Sequence, residues 1–449
     1  MQKTQSDEPV GRSYWQEAKL TILLALPLIV GQIGQMLIGL ADTIMIGKIG
    51  VVPLGASTFA NTLLMVPLVS SMGLLAAVSI KVAQGRGRKD FAAVREAVRH
   101  GSWLACLYFA LVFTVVMLLI PRLDLFDQPE SVTAITPGYL KLVTWSLLPA
   151  MLALGWKYHG DALNHPWPSF WIFISGVFAN IVLNWLLIYG NWGFPELGLE
   201  GAGWATLISR IYTAVAVFIW INHAPSVKKW APRKWLRAWH IDEFKSMLHL
   251  GVPVALFLMM EVGMFSAGAL VIGSLGEVPL AAHQVALTCS GITFMVPLGI
   301  SMAITVRTGE VTGSGEHQRL KKILVSGWMF GLMSSFVSMA AFLLAGEWIA
   351  AQIVEQREVI VLAASLLIVA GVFQIVDGMQ VISAAALRGI ADVKIPAWMA
   401  GLSYWIIGVP VGAFLAKMTD FGAQGMWIGM ASGLGVSAIC QSVRAWKKF

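Results

Sequence analysis

Residues 27–53 read PLIVGQIGQMLIGLADTIMIGKIGVVP, and residues 253–279 read PVALFLMMEVGMFSAGALVIGSLGEVP. The landmarks Pro27, Gly47, Gly50 and Pro53 recur as Pro253, Gly273, Gly276 and Pro279, at a constant offset of 226. Each stretch is apolar over roughly 20 residues, the length a helix needs to cross the hydrocarbon core of a bilayer. A membrane β-barrel strand would instead alternate over about ten residues, and neither stretch does. Both therefore predict a spanning helix, and the offset predicts that it belongs to a repeated unit.

The rest of the chain is built the same way. Of its 449 residues 57% are hydrophobic and only 12% charged, and the mean hydropathy is +0.74. A soluble chain carries roughly a quarter charged residues, so this composition excludes a cytosolic enzyme, a disordered protein and a secreted disulfide scaffold. Reading from one polar break to the next gives twelve apolar segments, at 18–46, 54–80, 101–120, 137–160, 169–190, 201–222, 247–273, 279–306, 323–345, 358–387, 396–416 and 424–443. The expected fold is an all-α integral membrane protein with twelve transmembrane helices in two pseudo-symmetric six-helix lobes.

Charge orients the segments. Lys+Arg exceed Asp+Glu by 31 to 24, a formal +7. The bases gather in 81–99, in 223–246, in the loop before helix 9 (Arg307, Arg319, Lys321, Lys322) and at Arg444, Lys447 and Lys448. The alternate loops carry Asp124, Asp127, Glu130, Glu196 and Glu200. Positive charge marks the cytoplasmic side, which places both termini there. The predicted organisation is a cytoplasmic N-terminus (1–17), an N-lobe (18–222), a basic linker (223–246), a C-lobe (247–443) and a cytoplasmic tail (444–449). Two further blocks support the repeat: Met65-Val-Pro-Leu68 recurs as Met295-Val-Pro-Leu298 after a small insertion, and Gly198-Leu-Glu-Gly201 is echoed by Gly422-Ala-Gln-Gly425. Parallel repeats place a substrate site between the lobes and let the lobes rock to give alternating access.

Ionisable side chains inside spans are costly and are candidates for function. Asp42 ends a polar face formed with Gln32, Gln35 and Gly39 on helix 1, although a helix ending near Leu40 would make it a cap instead. Glu261 lies mid-helix 7, where the repeat pairs it with Gln35, and the C-terminal half offers no basic partner inside a span. Asp377 shares a face of helix 10 with Phe373, Gln374 and Gln380. Two carboxylates with amide oxygens nearby suit a small cation, because hard oxygen donors bind sodium and a proton can be shared. Sodium binding is thus expected at Glu261 and Asp377. Asp161 falls in a turn-like stretch after helix 4, Asn180 and Asn184 form an i,i+4 pair on helix 5, and Arg210 is read as the one base within a span, paired inside its lobe. Pro27 and Pro253 occupy matching positions and are hinge candidates. The three cysteines (Cys106, Cys289, Cys440) have neither metal nor redox spacing. No Walker A motif, zinc-protease helix or nucleophile elbow occurs, so no cofactor and no enzymatic activity are expected.

The blocks Gly39-Leu-Ala-Asp42-Thr-Ile-Met, Glu261-Val-Gly-Met-Phe, Ala281-Ala-His-Gln-Val-Ala-Leu287, Asp377-Gly-Met-Gln-Val-Ile and Ala386-Leu-Arg-Gly389 resemble, in order and spacing, the multidrug and toxic compound extrusion (MATE) family, bacterial NorM-type branch. The resemblance implies a secondary antiporter in which two lobes open alternately and export cationic or amphipathic small molecules against inward Na+ or H+. It implies a C-lobe cation site at Glu261 and Asp377, with Phe373 and Gln380 beside them. It implies an N-lobe proton, cation or substrate site at Asp42, Asp161, Asn180 and Asn184, to which the polar face adds Gln35. Members of that branch commonly carry a tyrosine four residues before the helix-10 aspartate, and here that residue is Phe373, which removes one oxygen ligand. A monomer in contact with membrane lipid is expected, with no nucleic-acid partner. The competing reading is a lipid-linked precursor flippase of the same superfamily, which would need a cationic cavity.

Overall fold

The computed structural model describes residues 12–237 and 240–449. The first eleven residues of the expected N-terminal segment, and positions 238 and 239 of the expected linker, lie outside the described residues. Twelve helices are long and apolar enough to cross a membrane. They are α1 (Tyr14–Gly47), α2 (Val51–Gly87), α3 (Phe91–Leu119, followed by a 3-10 turn), α4 (Glu130–Ala162), α5 (Pro166–Tyr189), α6 (Gly198–His223), α7 (Ile241–Gly273), α8 (Glu277–Ser314), α9 (Leu320–Ala351), α10 (Arg357–Gly389), α11 (Lys394–Met418) and α12 (Gly422–Lys448). There is no strand among the described residues.

Local chemistry sets the ends. Ser13 and Gln16 form a capping box at the start of α1, which satisfies backbone donors that the first turn leaves open. The Asp90 carboxylate accepts from the Ala92 and Ala93 amides at 3.0 Å each and starts α3. Pro166 occupies the first turn of α5, where its missing N–H costs nothing. Within α11 the backbone widens into a π-helical stretch, Ser403–Gly408, a local distortion that often accompanies a functional position.

The first six helices pack among themselves, the last six do likewise, and the pairing scheme repeats: α1 on α5 as α7 on α11, α2 on α4 as α8 on α10, α4 on α6 as α10 on α12. The repeat is visible in the backbone. Gly50 (φ 133°) and Gly276 (φ 125°) start α2 and α8, and Gly198 (φ 54°) and Gly422 (φ 53°) start α6 and α12. These are left-handed conformations that glycine adopts without a Cβ penalty.

The two sets meet through α1, α2, α7 and α8. A Cβ on Gly73 would lie 2.3 Å from the Ala255 Cα, and one on Gly299 would lie 2.5 Å from the Ile29 side chain. Further along, a Cβ on Gly87 would lie 2.0 Å from the Glu310 carbonyl oxygen, and one on Gly313 would lie 2.1 Å from that of Gln84. Each contact is the other's copy at the offset of 226, which extends through the whole of α2 and α8 without an insertion. The Met-Val-Pro-Leu tetrapeptides are therefore one helical turn out of register, and their recurrence does not mark equivalent positions. A shift of four residues in a helix keeps a side chain on nearly the same face, so both copies still look sensible as sequence.

All of these contacts lie toward one end of the helices. From Gly299 to Gly309 α8 is buried almost all round, whereas from Glu277 to Val296 much of its surface is open. The sets are thus sealed against each other at the end that carries 81–99 and 223–246, and they part toward the other. At the sealed end the helices run past the apolar segments, so most of 81–99 is helix, with a break only around Arg88–Asp90. Arg307 likewise belongs to α8 rather than to a loop.

Candidate functional site

The C-terminal set holds the more open-ended chemistry. Asp377 on α10 is 4% exposed, Gln380 one turn further is fully buried, and the Asp377 Oδ1 and Gln380 Oε1 atoms have no hydrogen-bond partner among the described residues. Most buried polar atoms are paired, and an exception needs a reason. Both atoms are acceptors on one face, so the missing partner is a donor or a cation. Glu261 on α7, half-buried, lies within electrostatic reach of Asp377. The Tyr404 hydroxyl, in the π-helical stretch of α11, accepts from Gln380 Nε2 at 2.7 Å and lies within reach of both carboxylates.

Tyr404 was not legible as a site residue, because a lone tyrosine in an apolar span gives no signal. Its hydroxyl approaches the carboxylates from a different helix than the one that carries Phe373. The Phe373 ring is 2% exposed and packs edge-on against Trp427 (5.5 Å) and Phe265 (5.8 Å), so it forms the wall behind the carboxylates. Gln374 is committed to the backbone of Ser290 (2.9 Å) and the Thr293 hydroxyl (2.7 Å). Arg388, in the last turn of α10, lies within electrostatic reach of Glu261 and of Tyr158 on α4. The expectation that this half holds no base inside a span is therefore wrong.

In the N-terminal set α1 continues to Gly47, which places Asp42 inside the helix and not at a cap. Its Oδ1 accepts from Asn184 Nδ2 at 2.5 Å, Asn184 Nδ2 also donates to Asn180 Oδ1 at 3.2 Å, and Asn180 Nδ2 donates to the Ser209 hydroxyl at 3.4 Å. Arg210, next in the chain, donates to the Ser146 hydroxyl at 2.8 Å and lies within reach of Asp42 and of Tyr139. The expected pairing of Arg210 within its lobe is what the structure has.

Two members of the expected N-lobe site do not join this cluster. Asp161 lies in the last turn of α4, where it accepts from Lys157 Nζ at 2.7 Å and from the Ser169 hydroxyl at 2.9 Å. Ser169 is fifteen residues before Asn184 on α5, about 22 Å at 1.5 Å per residue. Asp161 is thus a buried structural ion pair near the sealed end. Gln35 lines a narrow crevice with Pro27, Lys157 and Phe170, two turns from Asp42. Pro27 and Pro253 both sit within unbroken helix.

Nor is Arg210 the only base within a helix. Lys157, Arg99 and Arg307 are buried as well, paired with Asp161, Glu96 and Glu17. The Glu17 pair belongs to the seal. The fully buried Glu17 carboxylate on α1 accepts from Arg307 Nη2 on α8 and from Arg319 Nε at 2.6 Å, while Arg307 Nη1 reaches the Glu17 carbonyl oxygen (2.6 Å) and the Thr21 hydroxyl. Lys81 Nζ meets Glu243 at 2.5 Å, Arg86 meets Glu310 at 3.5 Å, and Gln84 Nε2 donates to the Gly389 carbonyl at 2.9 Å. Every one of these bonds joins the first six helices to the last six.

Comparison with known proteins agrees with this architecture. Residues 27–186 and 253–414 each match the MatE family, so the family pattern occurs twice and begins at the two equivalent prolines. The probable multidrug resistance protein NorM of Agrobacterium fabrum is 31% identical over 444 residues, covering 97% of this chain and 95% of that protein. Its namesake in Bradyrhizobium diazoefficiens is 34% identical over 436 residues, covering 93% and 91%. Among solved structures, a MATE transporter from Vibrio cholerae superposes with a TM-score of 0.88 at 18% identity over 97% of both chains. A MOP-superfamily transporter from Pyrococcus furiosus does so with a TM-score of 0.88 at 19% identity over 96% of both. Matched in both halves and aligned with these relatives over nearly its whole length, the chain belongs to the MatE family of transporters.

Proposed function

We propose that this protein is a cation-coupled multidrug efflux antiporter of the inner membrane that exports cationic and amphipathic organic compounds. The reading rests on one observation: two buried acceptor oxygens, Asp377 Oδ1 and Gln380 Oε1, left without partners beside a second carboxylate, Glu261. A buried acceptor left bare costs about 1–3 kcal/mol, and a proton or sodium ion entering there removes that cost. The donor set is all oxygen (Asp377, Glu261, Gln380, Tyr404), which suits Na+, and its carboxylates also accept H+.

Export needs only that the cation and the cargo favour different lobe arrangements, because a ligand shifts an equilibrium by its differential affinity for the two states. With the basic, sealed end taken as cytoplasmic, the arrangement described above faces outward. Cation entering from that side at Glu261 and Asp377 displaces cargo, and its inward passage resets the lobes. The Asp42–Asn184–Asn180 chain, with Arg210 within reach of Asp42, is a second polar cluster within the first six helices. The buried bases Arg99, Lys157 and Arg307 are each paired with an acid, and Arg210 and Arg388 lie within reach of Asp42 and Glu261, which argues against the cationic cavity a lipid-pyrophosphate flippase needs.

The test is dye efflux from inside-out vesicles with Na+ and pH gradients imposed separately. The wild type is expected to respond to at least one gradient, and Glu261→Gln and Asp377→Asn to neither while still inserting and folding. Gradient-driven efflux that survives both substitutions would refute the proposal.

A further inference from the structure

The segment between α6 and α7 joins the two halves in sequence, yet its described residues are fastened to the first of them. Both Arg95 Nε and Nη2 donate to the Lys229 carbonyl (3.1 and 2.6 Å), and the Trp230 ring stacks on Phe91 at 4.1 Å. The Trp235 ring packs against Trp156 (5.8 Å) and Phe218 (5.1 Å), and its Nε1 donates to Asn222 Oδ1 at 3.0 Å. Trp103 Nε1 reaches the Arg237 carbonyl at 3.4 Å, and His100 Nε2 accepts from the His240 amide at 2.9 Å. All of these partners lie on α3, α4 or α6. The Trp230 and Trp235 rings face the helices, and Lys229 Nζ lies 5.6 Å from the Phe91 ring centroid, while the other bases of the segment point away.

Those bases are numerous and uncompensated. Lys228, Lys229, Arg233, Lys234 and Arg237 are exposed, none forms an ion pair among the described residues, and no acidic residue occurs from Ala224 to Ile241. Lys234, Trp235, Leu236 and Arg237 line a shallow groove of about 590 Å³ in which Leu236 stands 89% exposed. An exposed leucine between two bases is costly in water and well placed in a headgroup layer. The groove also has a fixed position over the lipid. Trp103, which holds the Arg237 backbone, begins the outer face of α3, and Leu107, Leu111, Val115 and Leu118 continue that face as exposed residues at helical spacing. Such a stripe is where acyl chains lie, and Lys234 and Arg237 cap its end at the sealed side.

We infer that residues 228–237 form a binding site for anionic phospholipid. Lys234 and Arg237 hold the headgroup phosphate, Leu236 enters the interface, and the acyl chains run down the exposed face of α3. Bases beside a bilayer attract anionic lipid, and the attraction decays within a Debye length. Because the described residues of the segment are fastened to the first six helices, lipid held there anchors that half at the interface while leaving the other half free to move.

The experiment uses the full chain in vesicles of phosphatidylcholine containing a trace of spin-labelled phosphatidylglycerol or spin-labelled phosphatidylcholine, and reads the protein-bound fraction of each label. The expected result is a preference for phosphatidylglycerol that falls by roughly an order of magnitude in Lys234→Gln/Arg237→Gln and on raising salt from about 0.1 to 1 M. Leu236→Asp, which keeps both bases, is expected to give the same loss. Lys447→Gln/Lys448→Gln, with the same change of charge at the C-terminus, should retain the preference. A linker variant that keeps the wild-type preference, or a C-terminal variant that loses as much, would overturn the site. The readout is binding, so it stands or fails independently of whether the protein exports drugs.

Discussion

Glu17 is the most heavily bonded side chain of the seal, and Glu17→Gln tests what the seal does. The substitution keeps the size of the side chain but removes its charge and one of its two acceptor oxygens, so of the bonds that Arg307 Nη2 and Arg319 Nε make to separate carboxylate oxygens only one can be kept. A hydrogen bond to a charged group contributes about 1.5–3 kcal/mol, so the loss of one removes roughly 2 kcal/mol. Both arginines belong to the second set of helices, and both regain water when the sets part, so the loss falls on the sealed state alone. At 1.36 kcal/mol per tenfold, the unsealed population should rise roughly thirtyfold.

Ala83 reports this population. It is fully buried on α2, and its Cβ is 2.9 Å from where a Cβ on Gly309 of α8 would sit, so a thiol at that position meets solvent only when the sets separate. With Cys106, Cys289 and Cys440 replaced by serine, the rate of maleimide labelling of Ala83→Cys should rise about thirtyfold in Glu17→Gln, since labelling through rare opening scales with the open fraction. The exposed Glu347–Arg357 pair near the opposite end provides the control, and Glu347→Gln should leave the rate alone. An unchanged rate in Glu17→Gln would show that the ion pairs do not hold the seal.

A Cβ on Gly313 would lie 2.1 Å from the Gln84 carbonyl oxygen, so Gly313→Val should prop the sets apart and raise Ala83→Cys labelling without disturbing any charge. Asp161→Asn leaves Lys157 buried and unpaired and should cost about 3–5 kcal/mol, visible as a lower Tm in detergent. Asp42→Asn keeps an acceptor for Asn184 and should change Tm little while reducing efflux. Tyr404→Phe removes the acceptor of Gln380 Nε2 and one oxygen from the proposed cation set, and should raise the Na+ concentration for half-maximal efflux roughly tenfold, about 1.4 kcal/mol. If the half-maximal concentration does not move, Tyr404 only packs.

What the sequence disclosed follows from which forces act locally. Bilayer thickness dictates apolar length, so the spans could be counted from hydropathy, and the glycines at 50, 198, 276 and 422 marked helix starts because left-handed backbone favours glycine at those turns. Helix ends beyond the membrane carry no such signal. Arg99 and Arg307 looked like loop residues because they are charged, yet α3 and α8 continue into water and turn those charges inward onto Glu96 and Glu17. The Asp42–Asn184 contact joins residues 142 positions apart, and it was the family resemblance, not helix periodicity, that grouped the two. Lys157 and Asp161 are four residues apart on α4, a spacing that the turn-like reading of the stretch around Asp161 passed over. Tyr404 could not be found, since nothing in an uncharged span says which neighbour it will face.

The central claim is that the buried carboxylates of the second half trade a cation for cargo. Its most direct measurement is the release of bound H+ or Na+ from purified protein when a cationic dye is added, followed with a pH indicator in weak buffer and with radioactive sodium. Wild-type protein should release one of these ions on binding dye, and Asp377→Asn and Glu261→Gln should bind dye without releasing either. Dye binding with no ion released from the wild type, or undiminished release from both variants, would contradict the exchange.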